Sequence, residues 1–204
     1  MRATTFGLFF LAASAASAPA LAQGSPPRAD ALIDQAVISE VRSWLETEIV
    51  RLSVESQNAR YAGIDLPRIE ALDQQWVAER NAADKPLIAA TLSSPLSVYL
   101  TRIQARALGL YVEVFVTDAN GLNVGQSAIT SDYWQGDEAK FQKTFPFGPD
   151  AVFVDEPEWD EDMRIWRAQL NLTVTDPAGA TPIGAATVEI NLTELMRRNA
   201  VVGG

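Results

Sequence analysis

The sequence predicts an α+β fold, with helices in its first half and antiparallel strands in its second. Three observations carry this. Apolar residues recur at three- and four-residue steps from Leu32 to Leu52 and in two later stretches, the period of an amphipathic helix. From Tyr111 to Thr117 the step falls to two, with Val112, Val114 and Val116 on one face and Tyr111, Glu113 and Phe115 on the other, as in a half-buried strand. Asn120-Gly121 then tolerates positive φ and reverses the chain into a second short strand, Leu122 to Ser127.

Taken in order, residues Met1 to Ala22 read as a signal peptide: Arg2, an apolar core from Phe6 to about Ala16, and Ala20-Leu21-Ala22 as the cleavage site. Cleavage before Gln23 leaves a flexible leader, residues 23–29, and one domain over residues 30–204. Asp30 is expected to cap a single long helix reaching about Arg60. Gly63 ends it. Asp65-Leu66-Pro67 starts a second helix with Ile69, Leu72 and Trp76 on one face, and Ser94-Pro95 a third with Leu96, Leu100, Ile103 and Ala107 aligned, stopped by Gly109. Beyond the hairpin, Asp137 is expected to cap a short helix that ends at Phe145-Pro146-Phe147-Gly148-Pro149. Strands follow over Ala151–Val154, Arg164–Val174 and Ile183–Ile190, the last two joined by the turn Asp176-Pro177-Ala178-Gly179. Asn191 with Glu194 forms a capping box for a terminal helix, Leu192 to Asn199.

Composition excludes several chemistries. The chain has no His, which removes the commonest general base and metal ligand and any triad built on it. It has no Cys, so an exported form would be held by packing alone. A formal charge of −10 repels a nucleic-acid backbone or an anionic membrane surface. Apart from the signal no apolar run approaches the length of a membrane helix, so membrane insertion is not expected and the location is read as periplasmic or secreted. No cofactor is expected.

The run FVTDANGLNVGQSAITSDYWQGDEAKFQKTF, from Phe115 to Phe145, resembles the core of Cache domains. These are PAS-like (PDC-type) extracytoplasmic sensor domains with a pattern close to VTDxxG followed by TsDYxQGDE. Ala151–Val154, Arg164–Val174 and Ile183–Ile190 resemble the family's later strands. The resemblance implies a PAS-like antiparallel sheet of about five strands cradling a ligand, with a long N-terminal helix packed along it. It also implies a homodimer through that helix as one reading, against a helix buried by its own domain.

The ligand site suggested by this resemblance centres on the loop Asp132-Tyr133-Trp134, with Tyr111, Phe153, Asp155 and Trp166 on the strands as the remaining candidates. Aromatic faces attract cations and enclose apolar groups, and a carboxylate among them fixes an amine. Amino-acid-binding members typically also carry an Arg in the pocket. None stands between Leu110 and Met163, a departure that favours an amine or a neutral polar metabolite.

The acidic run Asp155 to Asp162 holds six carboxylates in eight residues. It lacks the Gly and the ligand spacing of a helix-loop-helix calcium loop, so a solvated hairpin tip relieved by Arg164 and Arg167 is expected, with cation binding left open. Asn171-Leu172-Thr173 and Asn191-Leu192-Thr193 match the glycosylation motif but fall in a strand and a helix cap, where a structural role is expected.

The function these features suggest is a binding module that recognises a small molecule unchanged and signals through a separate partner such as a membrane sensor, with closure of the Asp132–Asp137 loop on binding. The alternatives are a carboxylate-based glycan hydrolase using Asp155 or Glu158, and a structural dimerisation protein.

Overall fold

The structure, a computed structural model, describes residues 25–202; the signal segment read over residues 1–22 lies outside them. The N-terminal helix comes in three pieces, α1 (Ala29–Leu32), α2 (Gln35–Leu45) and α3 (Glu48–Arg60). Asp30 does not cap: it pairs with Arg28, and the cap falls to Asp34, whose carboxylate accepts from the Ala36 and Val37 amides. The expected single helix is therefore corrected at two points. At Thr47 the backbone is extended, and its hydroxyl bonds back to the Trp44 carbonyl, a local bond of the kind that competes with helix continuation.

Helices α4 (Leu66–Asn81) and α6 (Pro95–Arg106) start where their signals stand. The Asp65 carboxylate accepts from the Arg68 amide and the Ser94 hydroxyl from the Ser97 amide, and Pro occupies the first turn of each. A further helix, α5 (Pro86–Leu92), fills a stretch the periodicity leaves unassigned. Gly109, with φ of 84°, then turns the chain into the sheet.

The sheet is antiparallel, in the order β2 (Asn123–Gln126), β1 (Tyr111–Asp118), β6 (Pro182–Asn191), β5 (Ile165–Thr175), β3 (Val152–Val154), with β4 (Glu158–Asp160) also paired to β5. The expected fold class holds: a PAS-like sheet fronted by helices, with six strands where about five are expected. A short helix, α7 (Ala139–Gln142), and a 3-10 turn, Phe145–Phe147, cross between β2 and β3; Glu138, not Asp137, occupies the cap position of α7. Of the capping box at Asn191 only the cap half forms and opens α8 (Leu192–Val202): the Asn191 side-chain oxygen accepts from the Glu194 amide, while the Asn191 amide donates to Leu110 O and the Glu194 carboxylate is taken by Arg197 and Arg198.

Alternation along the strands sorts their side chains. Val114, Val116, Leu170, Leu172, Val188 and Ile190 face the helices and form the main core with Val41, Leu45, Val50, Val54, Leu96 and Leu100. Each such side chain contributes about 1.5–3 kcal/mol on burial. Register places Glu113, Phe115, Gln169, Asn171, Thr187 and Glu189 on the opposite face. A second cluster joins Ile69, Leu72 and Trp76 of α4 to Ile88, Leu122 and Tyr133. Helix α3 also ties down the hairpin by polar contacts. Gln57 Nε2 lies within hydrogen-bonding distance of Asp118 Oδ2, Leu122 O and Asn123 O, and Asn58 bonds both the Ile183 carbonyl and the Ala119 amide. Among the described residues no helix is long and apolar enough to cross a membrane.

Candidate functional site

The loop after β2 lies on the hairpin because two glycines let it approach. A Cβ on Gly121 would stand 2.5 Å from the Gly136 Cα. The Gln135 amide donates to Gly121 O, the Asn123 amide to Tyr133 O, and the Trp134 indole to Asn120 O. From the other side Asp73 of α4 accepts both the Tyr133 and the Trp134 amides, at 2.8 and 3.0 Å. The loop is thus held at both edges before any ligand arrives.

This anchoring disperses the seven residues expected at the site. Tyr133 turns towards the helices, 3% exposed and stacked on Trp76 with centroids 5.3 Å apart, and Trp134 packs against the same cluster. Tyr111 sits in the main core beside Trp44, its hydroxyl donating to Glu40. Trp166 also lies on the helix side, edge-on to Trp159. Only Asp132, Phe153 and Asp155 belong to the polar side of the sheet. Asp132 accepts from Gln135 Nε2 at 2.5 Å, and Lys140 Nζ reaches Gln135 Oε1 at 3.1 Å. Phe153 pairs with Asn171 and lies under Lys143 Nζ. Asp155 lines a cleft.

That cleft, about 240 Å³, opens between α7, the Asp155–Glu158 segment and strands β5 and β6. Five carboxylates line it, from Glu138, Asp155, Glu156, Glu158 and Glu189, against two cations, Lys140 and Arg167. Arg167 pairs with Glu189 at 2.8 Å and stands 3.6 Å from Glu158 and 3.5 Å from Asp160, the last a charge contact without a hydrogen bond from its Nε. Lys140 bonds Glu138 at 3.0 Å and lies over the Phe115 ring. Directly across the strands, Glu113 faces Glu189, and like charges so placed destabilise a sheet. Burial pushes both carboxyl groups above the usual range. The Glu189 charge raises Glu113 further, while Arg167 offsets part of the rise at Glu189.

A carboxyl raised in the folded state favours folding at low pH, and this contribution is lost as pH rises above the ordinary value of 4.5 through the folded one. Glu113→Gln is therefore expected to raise Tm by about 2–4 °C near neutral pH. The gain should vanish at about pH 4, where the wild-type carboxyl is itself protonated. Melting curves at both pH values check this, and a gain independent of pH would contradict it.

Sequence reading missed Glu113, Lys140, Arg167 and Glu189 as a group. The window searched for an Arg stopped at Met163, four residues short of the one that the return of β5 brings to the cleft. Of the acidic run only Glu161 and Asp162 fall in the β4–β5 turn; Glu158 and Asp160 stand in β4 beside Arg167, which relieves their charge, and Asp155, Glu156 and Glu158 line the cleft, a correction to the expected hairpin tip. Among the described residues no cluster of three or more carboxylates is arranged to hold a metal ion. Asn171 is buried, its amide donating to Phe153 O and its oxygen accepting from Thr187, and Asn191 is used as a cap, so both play the structural parts expected.

No protein-family model and no curated protein matches the chain. Among solved structures it is similar to the ligand-binding domain of the Pseudomonas aeruginosa amino-acid chemoreceptor PctC in complex with GABA. The identity is 17% and the TM-score 0.35, over 79% of this chain and 62% of that one. It is also similar to the sensory domain of the Campylobacter jejuni chemoreceptor Tlp3, at 12% and 0.38 over 81% and 64%. A third is the Vibrio cholerae histidine kinase DctB sensor domain, at 16% and 0.33 over 80% and 59%. The chain spans less than two thirds of each, and similarities of this size say nothing of ligand or partner. The order of the strands shows the fold by itself, a PAS-like antiparallel sheet fronted by helices.

Proposed function

We propose that the chain is an extracytoplasmic sensor module that binds a small amine-bearing metabolite in the acidic cleft, releases it unchanged and passes its state to a separate partner. The observation that carries this reading is the Glu189 carboxylate in the cleft's lining, with Glu113 directly across the strands from it. A buried carboxylate, Glu189, across from a half-buried one, Glu113, costs stability when the cleft is vacant. An ammonium group between them would remove that cost, and the same contact would fix the guest. Asp155 closes the opposite wall. Lys140 and Arg167, held by acidic neighbours, remain able to turn a donor towards a carboxylate or hydroxyl elsewhere on the ligand. The signal segment supports export, and a homodimer through the N-terminal helices belongs to the same proposal.

A thermal-shift screen of putrescine, 4-aminobutyrate, valine, succinate and adenine tests it. An amine-bearing compound is expected to raise Tm by several degrees at a concentration of about 100 Kd, which corresponds to about 2.7 kcal/mol. Glu189→Gln and Asp155→Asn should each abolish the shift, and Trp134→Ala, outside the cleft, should retain it. Shifts confined to succinate or adenine, or lost only in Trp134→Ala, would overturn the assignment.

A further inference from the structure

A second cleft lies on the helix side of the sheet and differs from the first in charge. It is about 270 Å³, enclosed by α3, α5, the start of α6, Val124 and Tyr133. Its lining contains no carboxylate and one cation, Arg60, in a chain whose formal charge is −10. Arg60 is exposed and forms no ion pair among the described residues.

The donors here are not all committed. The Ser53 and Thr91 hydroxyls are spent on the backbone carbonyls of Ile49 and Leu87, and Ser94 on Ser97. The Ser56 hydroxyl, on the exposed side of α3, makes no hydrogen bond among the described residues and is available to a guest. The Tyr133 hydroxyl lies beside that of Tyr61, and burial with this neighbour raises the Tyr133 phenol well above its ordinary value. Asp118 is fully buried behind Gln57, which donates to it at 3.1 Å, and it also accepts the Asn120 and Leu122 amides. Between the polar groups the wall is apolar, from Leu87, Ala90, Pro95 and Val124.

We propose that this cleft binds a small carboxylate with an apolar body. The Arg60 guanidinium and the Ser56 and Tyr61 hydroxyls hold the carboxylate, and Leu87, Val124 and the Tyr133 ring hold the body. A charged pair with a guanidinium is directional and stronger than a neutral hydrogen bond. A chain this acidic repels anions elsewhere on its surface, so retention of an anion at one place reports that place. The site is separate from the acidic cleft, and its occupancy does not depend on an amine binding there.

The test uses benzoate as the probe and benzyl alcohol as its neutral counterpart, read by amide chemical-shift changes on the whole mature chain. Saturable shifts at Ser56, Tyr61 and Thr91 are expected with benzoate, and binding at least about tenfold weaker with benzyl alcohol, a factor equal to about 1.4 kcal/mol. Arg60→Gln and Ser56→Ala, both at exposed positions, should weaken benzoate without changing Tm, and Arg167→Gln should leave it unaltered. The proposal is overturned if benzoate at about 10 mM moves none of these amides, if both probes bind alike, or if Arg60→Gln leaves the affinity unchanged.

Discussion

Replacing Trp76 by Ala is expected to cost about 3–5 kcal/mol of folding stability, the upper end of what a single core truncation does. Trp76 is 0% exposed and lies at the middle of the second cluster, against Tyr133 on one side and Ile69, Leu72 and Ile88 around it. Its removal leaves a cavity bounded by α4, α5 and the loop, which are tied by different contacts and cannot all move inward. It also strands the Thr130 carbonyl, which accepts the indole proton at 3.0 Å in a buried position. An acceptor left without a partner there adds about 1–3 kcal/mol. Trp76→Phe keeps one aromatic ring in the site and loses the hydrogen bond with the rest of the indole, so its stability falls between wild type and the Ala variant. Urea denaturation measures both, with the midpoint falling in the order wild type, Phe, Ala and the slope unchanged. A loss below about 1 kcal/mol for the Ala variant would show that the cluster does not anchor the loop.

The second large effect belongs to Gly184. It pairs with Asp118 on one side and Val174 on the other, and a Cβ added to it would overlap the Thr117 carbonyl oxygen, with Val54 Cγ1 3.2 Å away. The oxygen is main chain in β1, paired on both sides, and cannot swing aside as a side chain would. Gly184→Ala must therefore separate β1 from β6 or bend one of them, and overpacking of this kind costs about 1–3 kcal/mol or more. A loss of about 3 kcal/mol is expected, with amide exchange accelerating first at Thr117 and Ala185. Unaltered exchange at those two positions would mean that the strands tolerate the methyl.

Much of the fold was legible in the sequence because its signals are local. The alternation from Glu113 to Thr117, the Asn120-Gly121 reversal and the caps at Asp65, Ser94 and Asn191 each depend on a few neighbouring residues, and each is realised; at Tyr111 a register shift against β6 breaks the alternation and turns the ring into the core beside Val114 and Val116. The helix breaks were not legible. Apolar residues keep their period through Trp44, Leu45, Ile49 and Leu52, yet Leu52 is 61% exposed, because the interruption at Thr47 rotates α3 relative to α2. The site was only partly legible for a different reason. The direction of a loop side chain follows no period, and Asp73, sixty residues earlier, fixes the amides that turn Tyr133 and Trp134 towards α4. Arg167 reaches its acidic partners through pairings of β5 with β4 and β6, a neighbourhood that linear spacing does not display.

Asp132 and Tyr133 are adjacent in the chain, yet one carboxylate turns to Gln135 and one ring to Trp76, on opposite flanks of the same sheet. A single peptide unit is therefore common to both flanks, like the pivot of a seesaw. The pivot itself is fixed, its amide held by Asp73 and its carbonyl by Thr130 and Asn123, so the aim of the acid and the seat of the ring share one immobile reference.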